Sequence, residues 1–231
     1  MSRRTLDITL SIGGVLLAAL FVVLAILLRN EYNFGKDYVH DQLGQQKITF
    51  AAADKLTDEE KNWKPGSACL TTYAGQLMVT GKQAECYANY YIGLHLETSA
   101  KTAGLEGETY ATIGAIQTGL RTQIADLKAK NDTAGQAAAQ TKLDAATAAR
   151  TTQQTGETLR GLLLTSYGFS IFGDRAGQIG MIAFIAAALL VVLSAAGFIH
   201  AFITPPEKAV APVPALRPAE STGATGTTAR A

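Results

Sequence analysis

Two long apolar runs constrain the fold of this 231-residue chain more than any other feature. They cover residues 8–28 and 179–203, and neither contains an aspartate, glutamate, lysine or arginine. A helix needs only about 20 residues of this kind to cross the hydrocarbon layer of a bilayer. We therefore predict a two-pass membrane protein in which these runs are the transmembrane helices, preceded by a tail of residues 1–7.

Basic residues beside the two runs predict how the spans are oriented, because only short flanking segments report orientation. Arg3 and Arg4 precede the first run, and Lys208 and Arg217 follow the second. We therefore expect both termini to be cytoplasmic and residues 29–178 to form an extracytoplasmic domain at the plasma membrane. The first run is longer than the roughly 7–15 apolar residues of a cleavable signal peptide, which indicates an uncleaved signal anchor.

The segment between the runs has the pattern of an all-α domain. Strand-like composition is confined to residues 48–50. We expect the first span to continue as a helix to about Gly44. For residues 162–172 two structures are compatible with the pattern, a helix lying in the membrane surface or the lower part of one long helix leading into the second span. The second is favoured.

Two capping boxes mark helix starts within this domain. They begin at Thr57 and at Thr80, each followed three residues later by a glutamate or glutamine. We predict a short helix after Thr57, a second helix over residues 68–79, and a third from Gly81 to about Glu97.

A coiled-coil-like seam follows a glycine-containing loop at residues 99–107. Its apolar residues recur three and four positions apart, as a helix–helix contact requires; they are Ile113, Ile116, Leu120, Ile124 and Leu127. The alanine-rich segment after Asn131 is the nearest partner, so we predict an antiparallel helical hairpin. The seam could also be shared between two copies of the chain.

Small residues predict where the two spans touch. Gly13 and Gly14 lie at a depth in the first span similar to that of Ser194 and Gly197 in the second. Because small side chains let helix backbones approach closely, we expect helix–helix packing at these four positions.

The composition of the C-terminal tail predicts disorder, and the overall charge argues against nucleic acid binding. Residues 204–231 hold five of the six prolines, together with alanine, threonine and glycine, which predicts a disordered cytoplasmic tail. A net charge of +1 with 17% charged residues gives no electrostatic footprint for a nucleic acid partner.

Both cysteines, Cys69 and Cys86, fall in the predicted extracytoplasmic segment, where disulfides persist. If they lie on a helical hairpin turning at Thr80, they are offset by roughly 9 Å along it, more than the usual spacing of bridged Cα atoms. The sequence is therefore compatible with a disulfide and equally with two free buried thiols.

The residues that carry chemistry form no recognisable catalytic or metal-binding set. The only histidines are His40, His95 and His200, and no serine stands in a nucleophile elbow. We expect no cofactor and no metal site. A group of four tyrosines near the Cys69 segment is a candidate binding surface, although such groups also form cores; they are Tyr73, Tyr87, Tyr90 and Tyr91.

Four further segments are informative, at residues 73–76, 80–84, 87–96 and 156–164. They resemble segments of an uncharacterised family of two-pass actinobacterial membrane proteins, which implies two terminal spans around a helical external segment. Many members of that family carry the label of aromatic ring-opening dioxygenase. Such iron chemistry needs two histidines and a carboxylate around one metal, and here only His40 and His95 with Glu97 or Asp37 could supply them.

The sequence thus predicts a non-enzymatic envelope protein that acts through protein–protein contacts of its external helices, with a partner protein or with a second copy. A ligand-sensing external domain that works with a separate partner is the alternative. A ring-opening enzyme is the third hypothesis.

Overall fold

The computed structural model describes residues 2–205, and helices dominate this part of the chain. In chain order they are α1 (Arg3–Gln45), α2 (Asp58–Asn62), α3 (Ala68–Thr72), α4 (Gly81–Cys86), a π-helical segment (Tyr87–Ile92), α5 (Gly93–Thr102), α6 (Tyr110–Ala129) and α7 (Thr133–Ile203). The described residues contain no β-strand, only an isolated antiparallel bridge between Thr49 and Leu77. The prediction of an all-α fold is confirmed.

The chain divides into two compact units, and α1 and α7 contribute to both. The smaller unit combines Met1–Val22 with Phe184–Ala231, and the larger unit is Val23–Ala183. Within the smaller unit only residues 2–22 and 184–205 are described, so the predicted disordered tail, apart from residues 204 and 205, lies outside the described residues.

Both α1 and α7 are long and apolar enough to cross a membrane. In the most apolar 18-residue window of each helix, only 17% of the residues are buried within the protein. Large side chains such as Leu16 and Val192 are about two-thirds exposed, at 68% and 65%. A core helix of a water-soluble protein would bury such side chains, because apolar surface is unfavourable in water.

Within the larger unit, α1 and α7 extend well past the apolar runs and pack closely. The helix predicted to about Gly44 ends at Gln45, and residues 162–172 lie inside the unbroken α7, so the prediction of one long helix is confirmed. Gly35 lies against Gly173, and Gly177 is required for this contact because a Cβ there would strike the ring of Tyr32.

The prediction of a helix over residues 68–79 is wrong beyond Thr72. Gly75 has a φ of +72°, which an α-helix cannot contain. The next residues pair with the segment after α1 instead, since the amide of Phe50 donates to the Gln76 carbonyl at 2.9 Å and that of Met78 to the Ile48 carbonyl at 2.8 Å. The short strand-like segment at residues 48–50 thus pairs with residues 76–78, which are extended and not helical.

The third predicted helix exists but is longer and contains a change of pitch. Thr80 accepts the Gln83 amide, and the Gln83 side chain accepts the Thr80 amide, as the capping box requires. The helix then runs through the π-helical segment to Thr102, so the predicted loop at 99–107 begins only after that residue. Its buried side holds Ala84, Ala88, Ile92 and Leu96.

This buried side completes the main hydrophobic core of the larger unit. The core joins residues from the end of α1, from the segment around the bridge, from α3 to α5 and from α7; they include Val39, Leu43, Phe50, Leu56, Leu70, Met78 and Leu163. Burial of these side chains is the main favourable contribution to folding, at about 25 cal/mol for each Å² of apolar surface.

The predicted hairpin forms between α6 and the first part of α7. Asn131, with a φ of +56°, lies in the turn between them. Ile113 is fully buried against Ala146 and Ala149, and the other four seam residues are partly buried, so the seam is occupied within one chain. Gln117 is buried beside this seam and donates to the Thr147 hydroxyl at 2.8 Å.

Candidate interaction surfaces

Cys69 and Cys86 are joined by a disulfide in the larger unit. Their Cα atoms are 6.1 Å apart, within the usual range for bridged cysteines. The offset expected for a straight helical hairpin does not arise, because α3 ends at Thr72 and the chain returns to α4 through extended backbone. The bridge therefore ties α3 to the start of the long helix that carries the tyrosines.

Three of the four predicted packing positions meet in the smaller unit. Gly14 lies against the Ser194 side chain, and Gly197 lies against the side chain of Ser11, which the sequence did not single out. Gly13 has no neighbour within reach of a Cβ and does not take part. A further contact, also not predicted, joins Asp7 Oδ2 to His200 Nδ1 at 2.8 Å.

The four predicted tyrosines do not form one surface. Tyr73 and Tyr87 pack on the buried ring of Phe50, with ring centroids 5.6 and 5.5 Å away, and so belong largely to the core. Tyr90 points to another side, where its hydroxyl donates to the Pro65 carbonyl at 3.4 Å. Only Tyr87 and Tyr91 share a face, with stacked rings 4.6 Å apart.

This shared face continues as an open groove of about 480 Å³. His95 extends the row of rings, with its imidazole edge-to-face on Tyr91 at 4.3 Å, and Leu159 lies opposite on α7. Burial, followed by the charge of Tyr91, raises the pKa of Tyr87 from 10.0 to about 12, so that its phenol stays neutral. The groove is mainly apolar.

His95 is held by a buried carboxylate that the sequence did not point out. Glu60 Oε1 lies 3.4 Å from His95 Nε2, while Glu60 Oε2 accepts the Thr57 amide at 2.7 Å. The carboxylate thus completes the capping box of α2 and positions an imidazole at the groove. Both carboxylate oxygens of Glu60 are therefore engaged in structural contacts.

No group of three or more histidine, cysteine, aspartate or glutamate side chains suited to a metal occurs within residues 2–205. His40, one of the two histidines considered for iron, has its Nδ1 atom 3.3 Å from Asp41 Oδ1, and both side chains are exposed.

The most exposed aromatic patch of the larger unit lies where α1 and α7 cross at Gly35 and Gly173. It consists of Phe34, Tyr38, Phe169 and Phe172, whose exposed fractions are 66%, 48%, 55% and 76%. We call these four residues the aromatic patch. Their rings are neighbours, with centroids 5.9 Å apart for Phe34 and Tyr38 and 6.5 Å apart for Tyr38 and Phe169.

The aromatic patch borders a cavity of about 580 Å³ that Glu31 and Ala176 also line. The sequence shows that Phe169 and Phe172 precede the second span, but it does not predict that Phe34 and Tyr38 lie beside them. That juxtaposition depends on the close contact of α1 with α7.

Compared with protein-family models, curated proteins and solved structures, the chain has no match.

Proposed function

We propose that this chain is a two-pass membrane protein without enzymatic activity, whose helical domain binds a partner protein through the aromatic patch. Insertion in a membrane is supported by the exposed apolar surface of α1 and α7, which a lipid environment would cover. The resemblance to two-pass actinobacterial proteins agrees with the same topology, with both termini in the cytoplasm.

The position of the aromatic patch favours a protein over lipid as its partner. Phe34 follows the first apolar run by six residues and Phe172 precedes the second by seven, which places them about 9–10 Å beyond the run ends along each helix. The interfacial layer of a bilayer is only about 5–8 Å deep on each side. Asp174 and Arg175 also stand between Phe172 and the second run.

The composition of the aromatic patch also suits a protein contact. Large exposed apolar patches are uncommon on monomeric proteins, and aromatic side chains, phenylalanine included, are enriched at protein–protein interfaces. The seam of α6 no longer supports a shared coiled coil, since α7 of the same chain covers it. The aromatic patch is therefore the surface that best supports a protein contact.

Site-specific photo-cross-linking in cells tests this proposal. A photoreactive phenylalanine analogue in place of Phe172 or Phe34 should capture one defined protein, either a different partner or a second copy. The same analogue at Thr158, an exposed position on α7 outside the patch, should not. Phe169→Ala should reduce capture from position 34 at unchanged protein level.

Capture of lipid alone, or of no protein from either patch position, would contradict the proposal. Stoichiometric iron in protein purified from native membranes would favour the ring-opening enzyme instead.

A ligand-sensing domain is the second candidate, favoured by the apolar groove beside Tyr87 and Tyr91. If this groove holds a small apolar ligand, native mass spectrometry of the purified protein should detect the added mass. Thr155→Trp, at the groove lining, should abolish the added mass, whereas Thr158→Trp on the same helix should retain it. Equal ligand retention in both variants would exclude this groove.

A further inference from the structure

A second cavity of the larger unit lies on the other side of the long helix and has a different chemistry. It measures about 440 Å³, a volume typical of small-molecule sites. Trp63 and Tyr90 contribute aromatic rings to its lining, Glu97 and Glu108 contribute carboxylates, and Gln153 contributes a buried amide from α7. We call it the Trp63 cleft.

The aromatic wall of the Trp63 cleft is placed by two glycines. A Cβ on Gly93 would lie 3.1 Å from the Trp63 ring, so the glycine lets the indole rest directly on the helix. Gly66 has a φ of +117° and lies beside the Tyr90 ring, which a Cβ at this position would strike. Both rings are half-buried, which leaves part of each accessible from the cleft.

One face of the indole already carries a cation. Lys64 Nζ lies 3.6 Å from the centroid of the Trp63 ring. The negative face of an indole attracts ammonium groups more strongly than any other side-chain ring. The Lys64 ammonium therefore marks the position that an external ammonium group would take.

The charges around the cleft favour a cation over an anion. Arg160 is neutralised by Glu157, since its Nη1 lies 3.1 and 3.2 Å from the two carboxylate oxygens. Among the described residues, Glu97 and Glu108 have no ion-pair partner within 4.0 Å. With Lys64 included, the remaining carboxylates outnumber the cations.

We propose that the Trp63 cleft binds a small organic ammonium compound, whose cationic group displaces Lys64 from the indole and is balanced by Glu97 and Glu108. This goes beyond the protein contact proposed above, because the aromatic patch and the cleft share no residue. It predicts that Lys64 competes with the ligand while the two carboxylates assist it.

Trp63 is the only tryptophan of the chain, so its fluorescence reports directly on the cleft. Choline chloride added to the full-length protein in detergent should change this fluorescence with saturation. Lys64→Gln should bind about fivefold more tightly, and the double variant Glu97→Gln, Glu108→Gln about tenfold more weakly. Calorimetric titration gives a second readout that does not depend on the indole.

Three controls separate binding from general effects. Sodium chloride at equal concentration and dimethylbutanol, the uncharged isostere of choline, should give no saturable signal. Glu106→Gln removes a nearby exposed carboxylate outside the cleft and should leave choline binding unchanged. Absence of saturable choline binding by both readouts, or equal affinity of the Lys64→Gln variant and the unaltered protein, would overturn the proposal.

Discussion

Among single residues, buried polar side chains form specific contacts that the spacing of apolar residues does not predict. Gln117 lies inside the α6–α7 seam, where its amide donates to Thr147 and accepts from Arg150 at 3.2 Å. Glu60 plays a comparable part between α2 and His95. The heptad spacing predicted the seam, but it could not predict which polar residue enters it, because that depends on partners 30 or more residues away.

Tyr87 gives a prediction at this scale. Its pKa of about 12 exceeds the ordinary 10.0 because the phenol is buried, so the folded state holds this proton more tightly than the unfolded state does. The resulting stability is fully present below about pH 10 and is lost as the pH rises towards 12. Ultraviolet titration of tyrosinate should show one late-titrating tyrosine that Tyr87→Phe removes.

Tyr110→Phe, which alters an exposed tyrosine on α6, is the matched control and should leave the late titration in place. If Tyr87→Phe leaves the late titration intact, the burial assigned to this phenol is wrong.

At the scale of elements, local signals predicted helix starts correctly while distant contacts decided the exceptions. Both capping boxes are present because they depend on four consecutive residues. Residues 73–79 are not helical because they hydrogen-bond to residues 48–50, a contact that helical periodicity does not encode. Tyr90 lines the Trp63 cleft whereas Tyr87 and Tyr91 line the groove, because positions four apart share a helix face and adjacent positions do not.

Helix packing in the smaller unit can be tested with adjacent glycines. Gly14→Leu places a large side chain against Ser194, and such overpacking should cost about 1–3 kcal/mol and lower the melting temperature in detergent. Gly13→Leu adds the same side chain one position away, where no neighbour lies within reach, and should have little effect. Equal effects of the two substitutions would contradict the packing described.

The disulfide joins elements within the larger unit and closes a loop with a sequence separation of 17. Loop-closure entropy predicts a loss of about 3 kcal/mol in unfolding free energy when both cysteines become serine. Chemical denaturation should reveal this loss, and reducing the unaltered protein should reproduce it. A reduced protein as stable as the oxidised one would show that the bridge contributes nothing.

For the whole molecule, the sequence predicted the class of fold and the helical extensions of both apolar runs, because long apolar runs and helical periodicity are local properties. It did not predict that the second arm of the hairpin and the second apolar run form one helix, α7. The candidate surfaces were largely out of reach. The aromatic patch needs Phe34 and Phe169 to meet across more than a hundred residues, and the Trp63 cleft combines residues that follow α2 with residues of the π-helical segment, α5 and α7. Only tertiary contacts between distant segments bring such residues together.

We propose that α1 and α7 cross a membrane, with the helical domain outside the cell and both termini inside. Labelling of introduced cysteines with a membrane-impermeant maleimide, in a variant with Cys69 and Cys86 changed to serine, tests it most directly. We expect labelling of Lys128→Cys in intact cells, and labelling of Ser2→Cys and Thr204→Cys only after permeabilisation. Labelling of all three positions in intact cells, or of Lys128→Cys only after permeabilisation, would contradict it.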